Sequence, residues 1–199
     1  RWLDLDRVTK LEEGGDNPIA TARNFIRAMM AGLPKNADSK VRFDLDQASL
    51  GGEPVSGVQL EVARSGGTLL LNKLRVALPG GTRLALDGTV ADAADGQSFR
   101  GDVTLHGTSL TRFLDWAAHG KPLADALRNE GPFSLQGQLA MSEGGIHLTE
   151  AGAETGGRAF TGEMHYANKD RPHVEVVLEG AEIDAGQFWP AGAKPSSAS

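Results

Sequence analysis

Apolar and polar residues alternate with a period of two along most of this chain. The stretch VRFDLDQ at residues 41–47 opposes three apolar side chains with three charged ones, and SGVQLEVA at 56–63 and FRGDVTLHG at 99–107 follow the same pattern. Successive side chains of a β-strand point to opposite faces, so each strand has one apolar face and one wet face. This is typical of antiparallel sheet and not of parallel strands covered on both sides.

Short connectors separate these runs. PGGT at 79–82 and SEGG at 142–145 have the length and composition of hairpin turns, and ADAADGQ at 91–97 and ANKDR at 167–171 are longer polar turns. Roughly nine strands joined in this way predict a meander. We therefore expect a mainly β fold, a curved antiparallel sheet with two or three short helices against its concave apolar face. In the fourth run the pattern predicts a shared apolar face for Leu70, Leu74, Val76 and Leu78.

Helical spacing interrupts the alternation after residue 17. Asn17 is a candidate N-cap, Pro18 suits the first helical position, and Pro34 stops the pattern, which predicts a helix over about 18–32. Its apolar face would consist of Ile19, Ala22, Ile26, Met29 and Leu33.

Two further helical segments follow strands. The segment TRFLDWAAHG is capped by Thr111 or Ser109 and ends at Gly120, with a possible continuation from Pro122. A third, short helix is predicted to begin at Asp184.

Two phrases of the sequence repeat at a constant offset. LHGTSLTRFLDW at 105–116 and LEGAEIDAGQFW at 178–189 place Leu, Gly, an aliphatic residue, a capping residue and Trp in step, 73 positions apart. A Gly-Gly turn and two strands precede each phrase, which defines repeat-like units at about 67–118 and 132–190. Trp116 and Trp189 are predicted to cover the open apolar face of the sheet. Units of this kind bury their apolar faces only when stacked, so they favour an elongated sheet.

Bulk composition excludes several classes of function. The chain has 199 residues, a net charge of -6 and no Cys. Its Lys and Arg residues are scattered singly, which argues against nucleic-acid binding. Disulfides, thiolate metal sites and Cys catalysis are excluded. We expect one β-repeat domain over 1–190 and a flexible Pro/Ala/Ser tail over 191–199. Since Arg1 is not an initiator Met and the chain opens inside a repeat-like phrase, we expect an internal or carboxy-terminal piece of a longer protein.

No motif predicts catalysis, a metal or a cofactor. The five His residues lack the HxH or HExxH spacing of metal sites, and solvated side chains are the simpler interpretation of His106, His119, His147, His165 and His173. GQSFRG at 96–101 is not a nucleophile elbow. The Gly-Gly pairs precede strands instead of helices, so they are turns and not phosphate cradles. We therefore expect a protein that is not an enzyme.

The apolar faces of the strands form the candidate site. Nine strands offer more apolar area than two short helices cover, so a strip of the face could hold an acyl chain, each buried methylene contributing about 0.8 kcal/mol. The predicted lining of this groove is Leu60, Leu74, Val76, Leu84, Leu86, Val103, Leu105, Phe133, Leu135, Leu139, Met164, Val176 and Leu178. The alternative is a β-rich binding or scaffold module for polysaccharide or an envelope protein partner, which exposed aromatic rings on the polar face would favour.

Three stretches carry a resemblance to a known family. GTLLLNKLRVALPGGTRLALDGTVADAADGQSFRGDVTLHGTSLTRFLDW at 67–116, LDLDRV at 3–8 and EGAEIDAGQFW at 179–189 resemble the repeat and strand-to-turn junctions of the AsmA-like proteins, TamB-related envelope proteins of Gram-negative bacteria. The resemblance implies a periplasmic module whose parent is anchored in the inner membrane by a helix outside this segment. It also implies a long bent sheet with an apolar groove, a part in outer-membrane assembly and homeostasis, and binding or transport of phospholipid.

Overall fold

Ten strands form one sheet in which their order in space follows their order in the chain. The computed structural model describes residues 2–5, 18–34, 37–65, 68–93, 96–118, 131–142, 144–167 and 173–180. All neighbouring strands pair antiparallel except the first, which is parallel to the second. This confirms the predicted mainly β antiparallel meander. The strands are β1 (Trp2–Asp4), β2 (Ser39–Leu50), β3 (Glu53–Ser65), β4 (Thr68–Leu78), β5 (Thr82–Ala93), β6 (Gly96–Gly107), β7 (Phe133–Ser142), β8 (Gly145–Thr155), β9 (Arg158–Ala167) and β10 (His173–Gly180).

The alternating residues meet across strands as the period of two predicts. Leu60 of β3 lies opposite Leu74 of β4, Leu74 opposite Leu86 of β5, and Leu86 opposite Val103 of β6. These four side chains belong to one apolar cluster, in which Leu60, Leu86 and Val103 are buried. Full burial of one such side chain contributes about 1.5–3 kcal/mol, so cross-strand rows of this kind hold the sheet together.

A β-bulge in β4 corrects one detail of the predicted register. The pairing of β4 with β5 shifts between Leu71 and Leu74, so the alternation changes phase at the two residues between them. Leu69 and Leu71 are therefore buried in the core, whereas Leu70 lies opposite Thr89 on the polar face. The prediction that Leu70 shares a face with Leu74 was wrong, because the bulge sets two residues of β4 opposite one of β5, and the one extra residue shifts the period of two.

Facing glycines bend the sheet toward its apolar side. Gly88 of β5 and Gly101 of β6 lie directly opposite each other in the middle of their strands. A Cβ atom added at Gly101 would overlap the carbonyl oxygen of Asp87 and lie 2.6 Å from the Cα of Gly88. Real Cβ atoms essentially never lie within 3.0 Å of such a neighbour, so only glycine allows the two strands to approach this closely here. Gly162 of β9 meets the backbone of Val177 in β10 in the same way.

The first helix, α1 (Pro18–Ala31), packs on the concave apolar face. Its limits agree with the helix predicted over about 18–32. Phe25, Ile26, Met29 and Met30 join the large cluster of sheet residues. The Phe25 ring lies 5.7 Å from the ring of Phe43 in β2. The sequence analysis missed Phe25 and Met30. The predicted cap Asn17 and the side chain of Ile19 lie outside the described residues.

The second helix, α2 (Leu110–Ala117), lies at one end of the sheet, against the turn between β4 and β5. Of the two predicted caps, Ser109 is the one used, its side chain accepting a hydrogen bond from the backbone N–H of Arg112 at 3.4 Å. The backbone N–H of Ser109 and the Thr108 side chain both donate to the carbonyl of Gly80 in that turn, which fixes the start of α2. Gly120, the continuation from Pro122 and the helix predicted at Asp184 lie outside the described residues.

Candidate functional site

One row of directly paired residues crosses the concave face from β2 to β10. In strand order its members are Val41, Val62, Leu71, Gly88, Gly101, Leu139, Leu148, Met164 and Val176. Every member is apolar or glycine, so a strip free of charged side chains runs across nine strands. We call this row the apolar strip.

Exposure varies along the apolar strip: its middle members are buried or partly buried, and its two end members, Val41 in β2 and Val176 in β10, are exposed. Val62 in β3 is 1% exposed and Leu148 in β8 is 6% exposed, whereas Val176 in β10 is 50% exposed. The large cluster that contains Met30 and Leu33 extends as far as Met164 in β9, which is partly buried. Residues of α1 therefore share a cluster with the buried part of the face, and among the described residues exposure is greatest at β10. We call the part of the face from β7 to β10 the open half.

The predicted groove residues divide into three groups by the exposure of their side chains. Four of them, Leu60, Leu86, Val103 and Phe133, are buried. Partly buried are Leu74, Val76, Leu84, Leu105, Leu135, Leu139 and Met164. Val176 and Leu178 on β10 are exposed. The structure thus brings most of the predicted lining together on one face, although the buried members pack in the core and are not available to a ligand.

An aromatic cluster closes one end of the concave face. Trp116 of α2 packs in a second apolar cluster with Leu50 and Val55, and its Nε1 donates a hydrogen bond to the backbone carbonyl of Leu50 at 2.9 Å. The ring of Phe113 lies 6.0 Å from that of Trp116 and 5.6 Å from that of Phe133. Trp116 therefore covers the end of the sheet as the repeat predicts, and Trp189 lies outside the described residues.

Phe113 is a site residue that the sequence analysis missed. It stands three positions before Trp116 in TRFLDW, and residues three apart share a face of a helix. That spacing is the signal that could have identified it. Together the two rings form a plug between α2 and the start of β7.

The convex face carries the charges. Lys40 Nζ lies 2.8 Å from Glu61 Oε1, and Arg42 Nε lies 2.7 Å from Asp44 Oδ2. The hydrogen bond from Lys40 lowers the pKa of Glu61, and a second hydrogen bond from Asn72 acts in the same direction. These pairs keep the reverse side of the sheet hydrated. The two faces therefore differ as sharply in charge as the alternation predicts.

Lys40→Met is expected to raise the pKa of Glu61 toward its ordinary value, since the largest cause of the lowered pKa is removed. A lowered carboxylate pKa adds stability above the unfolded-state pKa, and that stability is lost as the pH falls through the folded-state pKa. The pair is exposed, so we expect little change in the free energy of unfolding at neutral pH. Carbon-detected NMR titration of the Glu61 carboxyl measures the shift. Arg42→Met is the control and should change this pKa less, because Arg42 is the weakest of its causes. An unchanged Glu61 pKa in Lys40→Met would contradict this assignment.

The described histidines lie on the polar, convex face of the sheet. His106, His147 and His173 are exposed and His165 is partly buried. His147 and His165 oppose each other across β8 and β9, with ring centroids 3.8 Å apart. Among the residues that the structure describes, no group of three or more His, Cys, Asp or Glu side chains is arranged to hold a metal ion. His119 lies outside them.

Neither of the described helices has the length and hydropathy needed to cross a bilayer.

The site as a whole is a bent sheet with one charged face and one apolar face. Trp116 and Phe113 close one end of the apolar face, and the face is open at β9 and β10. Comparison of the chain with protein-family models, with curated proteins and with solved structures found no match.

Proposed function

We propose that the open half of the concave face binds acyl chains of phospholipids. The observation that carries this proposal is the apolar strip, which passes from Val62, buried in the cluster that contains α1 residues, to the half-exposed Val176 of β10 without a charged residue between them. Such a surface binds hydrocarbon without directional demands, so a chain can slide along it. Eight buried methylenes would contribute about 6 kcal/mol before the costs of association.

The dimensions of the open half suit an acyl chain. Neighbouring strands stand about 4.8 Å apart, so the part of the face from β7 to β10 is about 14 Å wide. Strands of 8 to 11 residues, as in β8, β9 and β10, extend it along the other direction. Leu135, Leu139 and Met164 are partly buried in this region and would form the floor beneath a bound chain.

The resemblance to AsmA-like proteins supplies the biological setting of the proposal. The chain would be a periplasmic, non-enzymatic module of a parent anchored in the inner membrane. Its role would be to hold or pass phospholipid along the groove and so support assembly of the outer membrane. The alternative of a polysaccharide-binding module gains no support from the aromatic side chains, because Phe25, Phe43, Phe113, Phe133 and Trp116 pack against one another or in the apolar clusters.

Lipid extraction followed by mass spectrometry tests the proposal on protein purified without detergent. The matched variants are Leu178→Lys on the concave face and Val177→Lys on the convex face, two neighbouring residues that are 39% and 46% exposed. We expect phospholipid to co-purify with the unchanged protein, to fall at least fivefold in Leu178→Lys and to persist in Val177→Lys. Protein free of lipid, or equal loss in both variants, would contradict the proposal.

A further inference from the structure

Strand β10 presents an unprotected edge. It pairs with β9 through eight consecutive residue pairs without a register shift, and no strand among the described residues pairs with its other edge. Its sequence HVEVVLEG contains no Pro and no Lys, the residues that commonly blunt such edges. Its side chains Val176, Val177 and Leu178 are exposed. An edge of this length with exposed apolar side chains is a template for pairing with another strand.

We propose that this edge pairs with the β10 strand of a second copy of the chain, antiparallel, with Val176 opposite Val176. An isologous contact of this kind is built by a two-fold axis that runs perpendicular to the sheet midway between the two copies of Val176. The concave faces of the two copies then lie on the same side, and the apolar strip continues from one copy into the other. The inference stands on the edge itself and does not depend on lipid binding.

The pleat of the strands limits the possible registers. Directly opposite residues in an antiparallel pair must point to the same face. A two-fold axis perpendicular to the sheet satisfies this condition only where it lies midway between the two copies of one residue. That residue then stands directly opposite itself. Registers centred between two residues would place an apolar side chain of one copy opposite a wet-face side chain of the other.

Two of the remaining registers, centred on Val176 and on Val177, pair the most β10 residues, and charge selects between them. With Val177 opposite itself, Glu175 would face Glu179 twice, and with Glu175 opposite itself the two carboxylates would meet on the axis. Like charges directly opposite destabilise a sheet. With Val176 opposite itself, Glu175 faces Val177, and His173 faces Glu179 at both ends of the pair. That register has no opposed carboxylates and adds two imidazole–carboxylate contacts.

Oxidative cross-linking tests the register directly, because the chain has no Cys of its own. In the proposed register the two Cβ atoms at position 176 lie about 4.5–5.5 Å apart. Those at 174, like those at 178, are separated by four residues along the strand, about 13 Å or more. We expect Val176→Cys alone to form a disulfide dimer in high yield, Val174→Cys and Leu178→Cys alone to form little, and an equimolar mixture of those two to cross-link. A dimer strongest at position 177, or no cross-linking at any position, would overturn the proposal.

Charge reversal with analytical ultracentrifugation tests the partner. His173→Glu should weaken the dimer at least tenfold by setting two carboxylates opposite each other, and adding Glu179→Lys should restore it. Val41→Glu is the control, since it adds the same negative charge to an exposed valine of β2 that stays outside the proposed contact. A protein that is monomeric at all accessible concentrations would refute pairing with a second copy, and so would equal weakening by Val41→Glu.

Discussion

We expect Gly101→Ala to lower the free energy of unfolding, measured by urea denaturation, by about 2–4 kcal/mol. The added methyl group would overlap the Asp87 carbonyl and crowd the Cα of Gly88, both of them backbone atoms of the neighbouring strand. Backbone atoms in the middle of a ten-stranded sheet have no rotamer through which to escape. Relief of the overlap therefore requires β5 and β6 to separate or to lose their bend.

Gly152→Ala is the matched control. Gly152 also lies within a strand, β8, but a Cβ atom added there would stand 3.6 Å from the side chain of Gln136, an ordinary van der Waals contact. We expect this variant to change the free energy of unfolding by less than about 0.5 kcal/mol. Equal effects of the two substitutions would show that the facing glycines do not set the curvature.

Trp116→Ala should lower the free energy of unfolding by about 2–4 kcal/mol. The variant loses the packing of the indole ring in the cluster with Leu50 and Val55, its contact with Phe113, and the hydrogen bond to the Leu50 carbonyl. That bond joins α2 to the end of β2, two segments 66 positions apart in sequence. Its loss should therefore loosen the closed end of the concave face as well as the helix.

Trp116→Phe separates packing from hydrogen bonding. The phenyl ring retains much of the apolar contact and lacks the donor, so we expect a loss of about 1 kcal/mol. Hydrogen exchange of the α2 amides in both variants reports whether the helix detaches from the sheet. A Trp116→Ala protein as stable as the unchanged chain would contradict the role of Trp116 as the plug.

The alternation determined which side chain lies on which face, and it did so well because the period of two is a geometric property of strands. It failed at Leu70, since the one extra residue of a β-bulge leaves no mark in a pattern of apolar residues. It also passed over Gly88 and Gly101, whose importance lies in being opposite each other. Which residues lie opposite each other depends on the register between two strands, and the sequence of one strand does not specify that register.

The groove was predicted as a single set of equivalent positions, but in the structure these positions differ widely in exposure. Leu60 and Val176 follow the same alternation, yet one lies beneath α1 and the other on the open edge. Their difference comes from where the helix packs, a tertiary relation that local spacing leaves undetermined. The first copy of the repeat does contain a capped helix whose Trp packs against the sheet, but the cap is Ser109 and not Thr111, the residue that the repeat places in step with Asp184. Its second copy, the domain limits and membership of the AsmA-like family stay predictions.

Two neighbouring residues of β10 allow the most direct test of lipid binding on the concave face. Val176 and Val177 are 50% and 46% exposed and point to opposite faces of the sheet. Each is replaced by Cys in a chain that has no other Cys, labelled with a fluorophore and titrated with a spin-labelled fatty acid. We expect saturable quenching at position 176 and little at 177. Equal quenching at both positions, or none at 176, would contradict this expectation.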